Sequence, residues 1–127
     1  MKVDKGLYYS KDHEWVRIDG NQAFVGITDF AQESMGDIVF VELPEIDDSF
    51  EAEDSFAVVE SVKAAADIYL PIAGTVVDVN QRLEDQPELL NTEAFEQHIA
   101  VLEDFDAESL QELMDADAYE AYCNSLE

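Results

Sequence analysis

The chain has 127 residues, 47% of them hydrophobic, and sets 6 Lys and Arg against 31 Asp and Glu for a net charge of −25. That is length for one domain with a buried core, and no segment approaches the roughly 18 apolar residues that span a bilayer. A surface this acidic repels nucleic acid and anionic membranes. It favours partners with basic patches, or else serves solubility in a salty cytoplasm.

The opening residues Met1-Lys2-Val3-Asp4-Lys5-Gly6 carry neither the apolar core and cleavage site of a secretory signal nor an Arg-rich, acid-poor transit pattern, so a cytoplasmic location is expected. "EWVRIDGNQAFVGI" places two β-rich runs around Asp19-Gly20-Asn21, a short-hairpin signal. In "TDFAQESMG", Thr28 can cap a short helix and Gly36 can end it. "DIVFVELP" predicts a third strand, stopped by Pro44, and residues 45–54 a loop or weak edge strand. "SFAVVESV", "DIYLP" and "GTVVDVN" predict three more short strands. The run Gly36-Asp37-Ile38-Val39-Phe40-Val41 is echoed 38 residues later by Gly74-Thr75-Val76-Val77-Asp78-Val79, as two related half-sheets would be. Beyond Asn80, "EDQPELLN" predicts a short helical turn and "HIAVLED" a last strand. The segment "DAESLQELMDADAYEAYCNSL" predicts one or two amphipathic helices broken near Asp115 to Asp117, with Leu110, Leu113, Met114, Ala118, Ala121 and Tyr122 inward. The single cysteine, Cys123, excludes an internal disulfide and offers no metal-ligand spacing.

Lys63 is the one Lys or Arg between Arg17 and Arg82. A mid-strand position would bury its charge, whereas a tight turn over residues 62–65 exposes it. With a two-residue loop, that turn sets Glu60 opposite Asp67 and Val59 opposite Ile68, an unfavourable carboxylate pair. Anionic neighbours raise an amine's pKa and disfavour Schiff-base chemistry, and no Gly-rich phosphate loop is present. Two roles stay open from the residues: an attachment point for a carried group, reached across Ala64, Ala65 and Ala66, or an ordinary surface lysine.

The motifs "HEWV" (13–16), "VGITDFAQ" (25–32), "GDIVFVELPE" (36–45), "VVESVKAAADI" (58–68), "PIAGTVVDVN" (71–80) and "LEDQPELLN" (83–91) together resemble the H proteins of the glycine cleavage system, a lipoyl carrier family, as does the tail "MDADAYEAY" (114–122). The resemblance implies a mainly β, lipoyl-domain-like fold, a barrel-sandwich hybrid of two related half-sheets. A short helix lies in its N-terminal half and helices follow at the C-terminus. Residues 1–127 would form one carrier domain, with 104–127 a helical extension on the β-core. It implies lipoate amide-linked to Lys63, with Glu14 and Asp67 contacting the loaded arm's amine. Val62 and Ala64 stand where biotin carriers have Met.

The implied partners are a pyridoxal-phosphate glycine decarboxylase (P protein), an aminomethyltransferase (T protein), dihydrolipoamide dehydrogenase (L protein) and a lipoate ligase or lipoyl transferase. No nucleic acid or membrane is among them, and the expected state is a monomer. The protein would be a carrier, accepting an aminomethyl group on its arm, passing it on and being reoxidised, with no catalytic side chain of its own. Three departures stand out: Phe30 where the family has His, Ala66 where it has Ser, and "TEAFEQHIAVLED" (92–104), which lacks the family's Gly, Trp and Lys, with His98 near the missing Trp. They leave room for a diverged carrier relaying lipoate to 2-oxoacid dehydrogenases or other redox partners. An acidic adaptor with unmodified Lys63 and a hydrolase using His13 and Glu14 are the remaining alternatives, the latter lacking a nucleophile.

Overall fold

In the computed structural model, which describes residues 2–126, nine strands form two antiparallel sheets. Met1 and Glu127, the ends of the expected domain, lie outside the described residues. Strands β1 (Tyr8–Tyr9), β2 (Glu14–Asp19), β3 (Gln22–Ile27), β9 (Ala100–Glu103), β8 (Gly74–Val79) and β5 (Ser49–Phe50) make the larger sheet in that order, and β4 (Ile38–Glu42), β6 (Ser55–Ser61) and β7 (Ala65–Tyr69) the smaller. The mainly β class with two sheets agrees with the expectation. The two echoed glycine segments lead into β4 and β8, one in each sheet.

A second echo relates the halves more closely. "EIDDSF" (45–50) and "EAEDSF" (51–56) adjoin in sequence. In each, an aspartate carboxylate accepts from the backbone N–H three residues earlier, Asp48 from Glu45 and Asp54 from Glu51. In each, the residue before that aspartate takes positive φ, 79° at Asp47 and 73° at Glu53. One segment exchanges backbone hydrogen bonds with Val76 and the other with Leu70, so each feeds a different sheet.

Local signals explain the elements. Gly20, with φ 61°, sits first in a two-residue loop closing the β2–β3 hairpin, as a type II′ turn asks. The Thr28 hydroxyl accepts from the Ala31 N–H at 3.2 Å and starts α1 (Asp29–Met35), and Gly36 ends it at φ 80°. "EDQPELLN" gives two single turns, α2 (Arg82–Asp85) and α3 (Leu89–Thr92). The tail forms a 3-10 helix (Ala107–Glu112) and α4 (Ala116–Ser125), which Asp115 caps through the Ala118 N–H at 2.8 Å.

Apolar alternation places Val16, Val25, Ile38, Val59, Ile68, Leu70, Ile72, Val76 and Leu102 between the sheets. A second cluster joins the chain's ends: Tyr9, Trp15, Phe95, Ala116, Tyr119 and Cys123. Here the tail differs from expectation, because Ala118 and Ala121 face solvent while Tyr119 and Cys123 are buried. Breaking the helix at 113–115, where Met114 pairs with Tyr9 across an isolated bridge, rotates α4 relative to a continuous helix and turns a different stripe inward. Trp15 fills the space over its cross-strand partner Gly26, where a Cβ would stand 2.6 Å from the indole, and donates its N–H to the Ala94 carbonyl at 3.0 Å.

Candidate functional site

Lys63 stands at the tip of the β6–β7 hairpin, exposed like its neighbours Val62, Ala64 and Ala65. The register differs from the sequence expectation by two residues. Glu60 faces Ala65, Val59 faces Ala66, and Asp67 faces Val58, so no carboxylate pair opposes across the strands. The loop is Val62-Lys63, closed by a Ser61 N–H to Ala64 carbonyl bond of 2.9 Å.

Two-residue hairpin loops normally rely on left-handed backbone, yet neither Val62 nor Lys63 has positive φ. Side-chain and tertiary bonds hold this one. The Ser61 hydroxyl oxygen accepts from the N–H groups of Lys63 (3.2 Å) and Ala64 (3.3 Å), and the Val62 N–H donates to the Asp37 carbonyl at 3.0 Å. Ser61 went unnoticed in the sequence, though a serine opening a turn is a recognised signal.

The lysine stem lies over Gly36. A Cβ built there would stand 3.5 Å from Lys63 Cε and 3.9 Å from Nζ. This platform is pinned by Asn91, whose amide donates to the Gly36 carbonyl and to Gln32 Oε1 (2.9 Å each) and whose Oδ1 accepts from the Ile38 N–H at 2.9 Å. Asn91 ends the "ELLN" motif, but only the fold shows that it braces a loop 53 residues away.

Glu14 is 2% exposed at the start of β2. Its Oε1 accepts from the Ser10 hydroxyl at 2.5 Å, and the Ser10 oxygen accepts from the Glu14 N–H at 3.1 Å. The carboxylate also accepts from the Tyr69 N–H. Leu70 exchanges bonds with residues 53–54, so Tyr69 on edge strand β7 points its N–H the other way, toward Glu14. A buried carboxylate thereby covers a sheet edge and ties the two sheets together. Burial pushes Glu14 up to about 7, helped by Asp12 and opposed by the two hydrogen bonds. The acid borders a cavity of about 380 Å³ that Tyr9, Lys11, Glu53, Leu70 and Met114 also line.

Asp67 is exposed on β7 and accepts from the Ser55 hydroxyl at 3.1 Å. It lies two residues before Tyr69, roughly 7 Å along the strand from the peptide that Glu14 touches. The fold thus gathers Glu14 and Asp67 at one strand. Lys63 lies six residues from Tyr69, roughly 20 Å of extended chain.

Two departures from the family pattern have packing roles. Phe30 stacks on His13 with centroids 4.3 Å apart, and His98 meets Phe24 edge-on at 5.2 Å. Among the described residues, no group of His, Cys, Asp and Glu could hold a metal ion, and no helix is long and apolar enough to cross a membrane.

The family model described as "Glycine cleavage H-protein" matches residues 7–126. A glycine cleavage system H protein of Alkaliphilus oremlandii is 52% identical over 123 residues, 97% of each chain. One of Clostridium botulinum is 48% identical over 127 residues, covering 100% of this chain and 98% of its own. The crystal structure of a glycine cleavage system H protein from Mycobacterium marinum superposes with a TM-score of 0.86 at 31% identity, covering 96% of this chain and 99% of that one. The chain belongs to the glycine cleavage H-protein family, whose members are a carrier component of that system and not one of its catalysts.

Proposed function

We propose that this chain is the lipoyl carrier of a glycine cleavage system, with lipoate in amide linkage to Lys63. It serves in turn the glycine decarboxylase, the aminomethyltransferase and dihydrolipoamide dehydrogenase, after loading by a lipoate ligase or transferase. The reading treats the chain as one cytoplasmic, monomeric carrier domain, with residues 104–127 bracing the β-core. The observation that carries it is the exposed lysine at a hairpin tip held by Ser61 and Asp37, its stem over a glycine that leaves room for a pendant group.

When bound, lipoate supplies a dithiolane that takes up the aminomethyl unit of glycine and is restored by oxidation. The protein's own residues present and shelter it. Small neighbours at 64–66 admit a modifying enzyme, and the fixed turn sets the direction in which the arm leaves. Glu14 and Asp67 offer carboxylates to a cationic amine, Glu14 from a site poor in water, where attraction between opposite charges is strengthened. The atypical segment is compatible with this reading, since Ala94 and Phe95 serve packing around Trp15 and Tyr9.

Incubation with lipoate and a lipoate ligase should add one lipoyl group, mapped by intact mass and peptide analysis to Lys63 and lost in Lys63→Arg. The loaded protein should then support glycine–bicarbonate exchange with the decarboxylase. Absence of modification at Lys63 overturns the attachment site. Modification without exchange points to the diverged relay instead.

A further inference from the structure

Glu14 follows a residue in an unfavourable backbone state. His13 takes φ 69°, a left-handed conformation costing a side-chain-bearing residue about 1 kcal/mol or more. The β1–β2 turn places it there, closed by the His13 N–H to Ser10 carbonyl (3.2 Å) and Ser10 N–H to Glu14 carbonyl (3.0 Å) bonds, and contacts from α1 and α4 lock its ring. Its ring stacks on Phe30, and Nδ1 lies 2.8 Å from the Tyr119 hydroxyl. The same hydroxyl lies 2.7 Å from the Thr28 Oγ1, the cap of α1. The protons can be ordered along this chain. Ala31 N–H donates to the Thr28 oxygen, Thr28 donates to Tyr119, and Tyr119 donates to His13 Nδ1, leaving the imidazole neutral with its proton on Nε2. Burial lowers the His13 pKa, in agreement.

We infer that Tyr119 is a positioning residue for the Glu14 carboxylate, acting by locking the His13 ring and with it the left-handed turn that leads into Glu14. One hydroxyl on α4 thus fixes the residue before Glu14 and the helix cap whose far end, Gly36, lies under Lys63. The functional meaning rests on the reading of Glu14 as an arm contact. The positioning itself does not, and can be measured without lipoate. Tyr119 is fully buried and stacks on Tyr9 at 4.5 Å, so removing its hydroxyl alone keeps the packing.

The experiment is a carboxyl-carbon NMR titration of Glu14 in the unlipoylated protein. Its midpoint reads how Glu14 sits against Asp12 and Lys11 of its own turn, Tyr9 of β1, Glu53 beside β7 and Glu112 of the 3-10 helix. In Tyr119→Phe, His13 relaxes, the carboxylate reaches water, and the midpoint falls by about one pH unit or more. His13→Ala, which keeps the strain and loses the ring, should give the same fall. Tyr119→Phe combined with His13→Gly should restore the midpoint, because glycine adopts the left-handed state unaided. An unchanged midpoint in Tyr119→Phe or in His13→Ala overturns the inference, as does a fall that His13→Gly fails to reverse. Failure of Lys63 to accept lipoate would leave this result untouched and would count against the carrier site alone.

Discussion

The stem of Lys63 rests on Gly36, so the residue ending α1 is also the floor beneath the lysine. A Cβ at Gly36 would make an ordinary contact with Cε at 3.5 Å, whereas the γ-carbons of a valine would press on the stem. Because Gly36 takes φ 80° and ψ −156°, a region essentially restricted to glycine, any side chain there costs about 1–3 kcal/mol of backbone strain. Gly36→Ala should therefore lose that stability in urea unfolding while lipoylating at nearly the wild-type rate. Gly36→Val should lose stability and also lipoylate several-fold more slowly. Equal rates for the two variants would show that the floor leaves the arm unaffected.

Asn91 holds this floor through three hydrogen bonds from another part of the chain. With its side chain half-buried, water replaces part of what is lost, so Asn91→Ala should cost about 2 kcal/mol. Loosening residues 36–38 also frees Asp37, whose carbonyl holds the Val62 N–H. Faster hydrogen exchange at the Val62 amide would register this coupling, and protection unchanged at Val62 would refute it.

Glu14 gives a pH dependence of definite sign. Its pKa rises from 4.5 to about 7 on folding, so between these values the folded state binds a proton that the unfolded state has released. Stability from this group is full below about pH 4.5, is lost as pH rises through about 7 and levels off about one unit higher, a total of about 3 kcal/mol. Glu14→Gln keeps acceptors for Ser10 and the Tyr69 N–H but cannot ionise. The difference in unfolding free energy between variant and wild type should thus grow in the variant's favour from pH 5 to 8, and a constant difference would contradict it.

Gly26 is required by Trp15. A methyl group 2.6 Å from two indole carbons cannot be accommodated without moving the ring. Gly26→Ala should destabilise by about 1–3 kcal/mol. It should also shift the fluorescence of the chain's one tryptophan to the red as the indole loses burial.

Much of this protein was legible in its residues because the relevant physics is local. Runs rich in β-branched and aromatic residues marked the strands longer than two residues. Thr28 and Gly36 marked both ends of α1, Gly20 marked its hairpin, and the one cation between Arg17 and Arg82 marked the candidate site. The two-residue strand Tyr8–Tyr9 was not legible, since so short a segment carries no period and forms by pairing with Val16 and Trp15. The tip register was two residues off because no left-handed residue announces that turn. The bonds fixing it come from Ser61 and from Asp37, just before the neighbouring strand β4. Tyr119 was passed over because helical spacing alone cannot say which stripe faces inward once a break at 113–115 resets the phase. Sequence determined which residues form strands, caps and an exposed lysine. Tertiary structure decided what surrounds them, because Glu14, Gly36, Asn91 and Tyr119 take their environment from elements up to 106 positions away, and that pairing exists only after burial brings them together.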